Sequence, residues 1–404
     1  MRSAPLDLGW NPADVDVADL WARSGGQWLT APGSAVPERL VRGVAGLVRY
    51  LDAHGAGLSG LFVADGLGVI ADRAAALHLP PAGLISAGTG THLLRASDGW
   101  IAVSLPRADD VELVPAWFET ESSSLDSWQT VANAVADRRM IEIVERGRLL
   151  GLACSVVGEA AERTDPILAT QHGEGAARTL SGTTVVNLAS LWAGPLCADV
   201  LRRLGARVIK VESVSRPDGA RLRPEFFEAL HVGQESVALD FGEPRDLERL
   251  KQLLASADVV IEGSRPRALA QLGIDVSELI WHGPQVWISI TAHGRAEPFA
   301  NWIGFGDDAA VAGGLVTERP SLIADAVADP VTGLTAAAAV VQLLGQGGRW
   351  LADVALSRVA ASLNGRDDAA RPLADPVPPT SRRSPGAPLP LGRDTAAVLA
   401  ELGI

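Results

Sequence analysis

Cysteine is scarce in this 404-residue chain, which has two, Cys154 and Cys197, far apart in segments that read as buried. Neither a disulfide framework nor a cysteine metal site organises such a sequence, and a reducing, cytoplasmic setting is expected. Positive charge is also in deficit: Lys+Arg 35 against Asp+Glu 48 gives a formal net charge of −13. That balance repels phosphate backbones and anionic lipid, so neither nucleic acid nor a membrane surface is an expected partner. An anionic ligand has to be held by local devices, namely helix N-termini and individual arginines. The opening MRSAPLDLGWNP lacks the apolar region of a leader, and the longest apolar stretch, Leu334 to Leu344, is Ala-rich and short for a bilayer crossing. There is no HExxH, Walker loop, G-x-S-x-G elbow or Cys/His ligand spacing, so neither a metal nor nucleoside triphosphate chemistry is expected.

Hydrophobic residues make up 47% of the chain and charged residues 21%, enough apolar surface for packed interiors. The length calls for at least two domains. From Thr183 onward, runs rich in Val and Ile alternate with amphipathic patterns: Val185–Ser190, Arg207–Glu212, Ser236–Phe241, Asp258–Gly263 and Gln285–Thr291 read as strands. Buried strands separated by helices predict an α/β fold, a doubly wound parallel (Rossmann-like) sheet. Upstream, His92–Ser97 and Trp100–Pro106 flank Asp98-Gly99 and predict a hairpin with a two-residue turn, the start of a smaller α+β domain. Helices are predicted over Asp109–Glu119 and from Ser127 to Gly151.

The resulting division is an N-terminal helical segment (1–84), the small α+β domain (85–160), a linker (161–182), the Rossmann-like domain (183–300), a loop and long helix (301–364), and an extended tail with a closing helix (365–404). Asp19–Thr30 followed by Val41–Leu51 parallels Asp308–Glu318 followed by Val331–Leu344. Both read as helix, Gly-Gly break, loop and Gly-containing helix, the pattern of a partial internal duplication.

The stretch VVNLASLWAGPLCADVLRRLGARVIKVESVSRPDGAR (Val185 to Arg221) is more specific than a generic βαβ unit. It resembles the opening of class III CoA-transferases, the CaiB/BaiF group, in its strand, Ala193-Gly194-Pro195 at a helix start, Leu204-Gly205-Ala206, Ile209-Lys210-Val211-Glu212, Asp218-Gly219 and Arg221. The likeness continues through Ala257–Asp275, Trp287–Asp308, DPVTGLTAAAAVVQLL and the closing PLPLGRDTAAVLAELGI. The order of parts departs from the family, because Ile85–Leu105, which looks like the family's glycine loop and small-domain strands, precedes the Rossmann-like half. The resemblance implies a rearranged unit of the CoA-transferase family III fold, with acyl-CoA and a carboxylic acid as ligands. It also implies a homodimer, interlocked as in the family, or a heteromer with a related subunit.

Transfer of CoA between carboxylic acids without ATP uses a carboxylate that takes the acyl group as a mixed anhydride. In the family that Asp follows a Gly-aromatic pair; here Gly304-Phe305 is followed by Gly306, and then by Asp307 and Asp308. Asp307 is the candidate nucleophile, its alternative role being a helix cap. Ala193, Gly194 and Pro195 would present N–H groups to a thioester carbonyl or phosphate, or form an ordinary turn. Gly88 and Gly90 resemble the family's water-excluding loop and read equally as a surface turn.

Glu212, Arg216, Arg221 and Arg265 fall at positions that in the family serve CoA, the arginines being otherwise a solvated face. Family cations are missing at His231-Val232-Gly233-Gln234 and at Glu262-Gly263-Ser264-Arg265-Pro266-Arg267, where Arg267 is a compensating candidate. His293 stands where an aromatic residue is usual and reads either as an acid/base group or as a packed ring. Three functions fit: CoA transfer through Asp307; racemisation or epimerisation of a 2-substituted acyl-CoA by His293 with Asp307; and a paralogue without activity that binds acyl-CoA or a partner subunit.

Overall fold

The structure, a computed structural model, describes residues 14–119, 127–365, 374–382 and 389–404. Strands β1 (Thr91–Arg95), β2 (Trp100–Ser104) and β3 (Ala153–Val156) form a small antiparallel sheet in that order. Strands β4 (Ile167–Gly173), β5 (Thr184–Asn187), β6 (Arg207–Ser213), β7 (Glu235–Leu239), β8 (Val259–Glu262), β9 (Val286–Thr291) and β10 (Arg349–Ala355) form the main sheet, ordered β4-β10-β9-β8-β5-β6-β7. Every pairing in the main sheet is parallel except β4 with β10.

The strand sequences explain the layers. Successive side chains point to opposite faces: Val185, Val208, Val259, Ile261, Val286 and Ile288 enter one core, while Val186, Ile209, Val260 and Trp287 enter another. The first face is covered by the helices Ala193–Arg203 and Ala328–Gln346, the second by Pro244–Ser256, Val276–His282 and Thr395–Leu402. Burial on both faces makes these strands read as continuous apolar runs, and the fold is a doubly wound α/β sheet with a smaller α+β unit. Chain order reverses between β5 and β8, so the crevice outside the carboxyl ends of these strands is the natural ligand position.

The N-terminal segment is helical, with Val17–Arg23 capped by the Asp16 side chain and Glu38–Ala53 packed against the long helix Ala328–Gln346. That long helix is apolar enough to cross a membrane by composition, yet it lies in the core with Ala336–Ala339 fully enclosed.

The chain departs from local pattern in several places. Residues 161–182, read as a linker, contain β4, an antiparallel edge strand whose mixed Ile-Leu-Ala-Thr-Gln-His composition carries a weak pattern because its faces are unequally covered. The hairpin turn is Ser97-Asp98 rather than Asp98-Gly99, since the Ala96 N–H donates to the Gly99 carbonyl at 2.9 Å. Gly99 answers to packing instead: a Cβ there would lie 2.4 Å from the Met140 sulfur. Pro115, which has no N–H, divides the predicted Asp109–Glu119 helix into Ala108–Glu112 and Val114–Phe118. The tail is exposed from Ala374 to Pro378 but is anchored by Arg382, whose guanidinium is buried between Asp72 and Asp199.

Candidate active site

The turn after β5 is held from beneath by a buried ion pair. Lys210 of β6 donates to the Ala189 carbonyl and pairs with Asp218 at 3.0 Å, both side chains being fully enclosed. Asp218 also accepts the N–H groups of Leu191 at 3.0 Å and Ala220 at 2.9 Å. Burial alone would raise the Asp218 carboxyl, but Lys210 and these N–H groups hold it below the ordinary carboxylate value. Leu191, at φ +70°, reverses the chain into the helix Ala193–Arg203. Among the described residues no side chain caps that helix, so the N–H groups of Ala193 and Gly194 keep their donor capacity at its positive end, where Pro195 has none to offer. Gly194 is required by the close turn, since a Cβ there would lie 2.1 Å from that of Ala189.

The long helix carries this turn toward a group of acids. A Cβ on Gly333 would lie 2.6 Å from the Ala193 carbonyl oxygen. Asp329 stands one turn earlier on the same face of that helix. A Cβ on Gly306 would lie 2.6 Å from Asp329 Oδ2 and 2.5 Å from the Ala326 carbonyl oxygen. Asp307 Oδ1 accepts the Ala326 N–H at 2.9 Å, and the Ser86 hydroxyl helps to pull its pKa down. Arg73, from the N-terminal segment, grips Asp325 with Nε at 2.9 Å and with Nη2. Its guanidinium lies 5.4 Å from the centre of the Trp192 ring, next to Ala193. A Cβ on Gly88 would be 3.5 Å from its Nη2. The Ala193 turn, the glycine loop and the carboxylates therefore meet around Arg73 in one chain.

One cation facing several acids perturbs their titration. Burial first, and then Asp325, push Asp307 up to about 6 against the pull of Arg73 and its hydrogen bonds. Asp329 rises to about 7, through burial and then the neighbouring Asp307, Asp325 and Asp308, with Arg73 opposing. Asp308 faces another way: Oδ1 accepts from Ser104 Oγ and the Phe305 N–H, both at 2.8 Å, and burial lifts its carboxyl to about 7.

His293 is not paired with Asp307. Its ring is fully buried edge-on against Trp302, and among the described residues neither ring nitrogen has a hydrogen-bond partner. Burial, followed by the charges of Arg148 and Arg163, keeps it neutral. Its neighbouring carboxylate is Asp308: a Cβ on Gly304 would lie 2.9 Å from Asp308 Oδ2 and 3.3 Å from His293 Nε2.

The sequence-nominated cations part company. Arg221 is bound by Glu212 at 2.8 and 2.6 Å, donates to the Leu389 carbonyl and lies over Phe227, so the two charges satisfy each other. Arg216 is exposed beyond β6, and Arg265 follows β8. Burial and the like charges of Arg267, Arg107 and Arg216 lower the Arg265 pKa, which marks a converging positive cluster. A cleft of about 790 Å³ between the small unit and the main sheet is bordered by Arg107, Arg148, Arg265, Arg267 and Trp302. Gly90, unlike Gly88, lies against Pro106.

Arg73, Ser86, Trp192, Asp325 and Asp329 were not singled out by sequence reasoning. Arg73 and Asp325 are 252 positions apart, so no local pattern connects them. Asp329 alone carried a signal, as the first residue of DPVTGL.

Known proteins resemble this chain over part of its length. A stretch of 184 residues is 32% identical to the succinate–glutarate CoA-transferase of Agrobacterium fabrum, covering 40% of this chain and 46% of that protein. Over 147 residues, identity is 29% with the succinyl-CoA–D-citramalate CoA-transferase of Chloroflexus aurantiacus, covering 34% of this chain and 37% of that one. A CaiB/BaiF family protein from Brucella suis, of known crystal structure, matches with 31% identity and a TM-score of 0.41 over 46% of this chain and 55% of its own. The chain spans about half the length of the curated relatives it matches. Residues 180–382, half of the sequence, fit the model of CoA-transferase family III, and the chain belongs to that family.

Proposed function

We propose that this protein moves CoA from an acyl-CoA thioester to a carboxylic acid through an aspartyl mixed anhydride formed among the carboxylates around Arg73. The observation that carries the reading is the meeting of the Ala193 turn and these carboxylates on one guanidinium. A thioester carbonyl seated at the Ala193 and Gly194 N–H groups would develop its negative charge at the positive end of a helix. A neighbouring carboxylate is then the attacking group, for which sequence order nominates Asp307. The Gly88 loop beside Arg73 would exclude water, which otherwise hydrolyses an anhydride. The phosphates of CoA would lie over the ends of β6 and β8, near Arg216, Arg265 and Arg267.

Relatives named for succinyl-CoA, glutarate and citramalate support short acyl groups and acid acceptors. A second copy, or a related subunit, would complete the acyl pocket. Proton exchange by His293 with Asp307 gains no support from their separate settings. The test is incubation with mixed acyl-CoA thioesters and free acids, followed by mass spectrometry. Exchanged thioesters are expected. CoA binding without exchange would replace this reading with that of a binding paralogue.

A further inference from the structure

We propose that Arg382, in the C-terminal tail, is a positioning residue of the active site, which sets Arg73 against the start of the helix Ala193–Arg203; the inference rests on the CoA-transfer reading above. Its guanidinium is buried and joins two elements that no local pattern connects. Nη1 donates to Asp199 Oδ2 at 2.8 Å, Nε lies 3.0 Å from Asp72 Oδ2, and the backbone N–H donates to Asp72 Oδ1 at 3.1 Å. Both carboxylates are as enclosed as the guanidinium between them.

Each acid belongs to an element that reaches the site. Asp199 lies in the second turn of the helix whose first turn offers the Ala193 and Gly194 N–H groups, a rise of about 9 Å from Ala193. Asp72 precedes Arg73 in the helix Asp72–Ala76, and successive helical side chains diverge by about 100°, so one turns to Arg382 while the next turns to Asp325. Arg73 and the first helix meet again at the Trp192 ring. The contacts close a circuit, from Asp199 through Arg382, Asp72, Arg73 and Trp192 and back along the helix, in which Arg382 comes from outside both elements. The tail is itself held in place: the Val377 N–H donates to the Ala22 carbonyl at 3.1 Å and Gln27 Nε2 to the Ala374 carbonyl at 2.9 Å. Gly25 makes room for it, since a Cβ there would lie 2.7 Å from Pro379 Cα.

Stability alone does not call for this arrangement. Removing three charges from water costs about as much as their attraction recovers, and apolar side chains of similar volume hold such a junction equally well. A planar guanidinium adds direction, holding two acids at fixed angles. Direction matters because Arg73 is the cation facing Asp325, Asp307 and Asp329, a group to which Asp308 adds its charge. Against burial, Arg73 favours the ionised forms of Asp307 and Asp329, and attack on a thioester requires an ionised carboxylate.

The test is the pH profile of exchange between succinyl-CoA and glutarate, measured on the full chain beside its melting temperature. In Arg382→Met a displaced Arg73 favours ionisation less, so the carboxyls titrate higher and the acid limb should move up by about one pH unit. Exchange then falls about tenfold on that limb and approaches the wild-type rate on the alkaline plateau. Arg382→Lys keeps a cation between the two acids and should return the limb most of the way. Asp199→Asn cuts only the tie to the helix, where Arg202 and Arg203 are partly exposed, and should move the limb in the same direction. This milder variant decides the matter where Arg382→Met does not fold. A lowered melting temperature with an unmoved limb would make Arg382 a tail anchor only and overturn the assignment, as would failure of both variants to fold. Absence of exchange in the wild-type chain across the acyl-CoA panel instead overturns the CoA-transfer reading, and this assignment with it.

Discussion

Replacing Asp308 with Asn should stabilise the protein, and should do so more at alkaline pH. Asp308 is fully buried, and its carboxyl rises from the ordinary 3.8 to about 7. A folded-state pKa raised in this way means that the native chain holds a proton which the unfolded chain releases. Native stability therefore falls as pH climbs from 3.8 and levels off above about 7. The full penalty is about 4 kcal/mol, of which about 3 kcal/mol develops between pH 5 and pH 8. The substituted amide stays neutral throughout. Its oxygen retains the Ser104 and Phe305 donors. Comparing the variant with the wild type at two pH values cancels the effects that do not depend on titration. Calorimetric melting should give a stabilisation larger at pH 8 than at pH 5 by about 3 kcal/mol, on the order of 3 °C for a chain of this size. An equal difference at both pH values, or a smaller one at pH 8, would refute the argument.

Two further outcomes follow from the geometry. Lys210→Met leaves Asp218 buried without its counter-charge and should cost about 3–5 kcal/mol, read as a lowered melting temperature together with faster proteolysis near Leu191. Arg265→Ala should weaken CoA binding about tenfold at low salt, while 3′-dephospho-CoA, tested beside it by calorimetry, shows whether the lost contact was to the 3′-phosphate.

The main sheet was legible because Val185-Val186, Val208-Ile209 and Val259–Ile261 are buried on both faces, which leaves an apolar run as the local signature. β4 was not, since an edge strand covered unequally resembles a polar connection. Within the site, Ala193-Gly194-Pro195 and Gly88 were visible as motif residues, because backbone geometry demands particular residue types there. What escaped was the distribution of charge. Glu212 and Arg221 look like two free ligand groups in sequence, yet they neutralise each other across nine positions. Arg73 meets Asp325 only through folding, and whether Gly306 leaves a void or room for Asp329 is decided by how the long helix docks. Local pattern records which side chains are available, whereas tertiary approach decides which remain unspent.

The origin of Arg73 has a structural consequence. This guanidinium and the Gly88 loop belong to the part of the chain that precedes the segment matching the family, while Asp307, Asp325 and Asp329 belong to that segment. The anionic half therefore acquires its compensating charge only when the two parts associate.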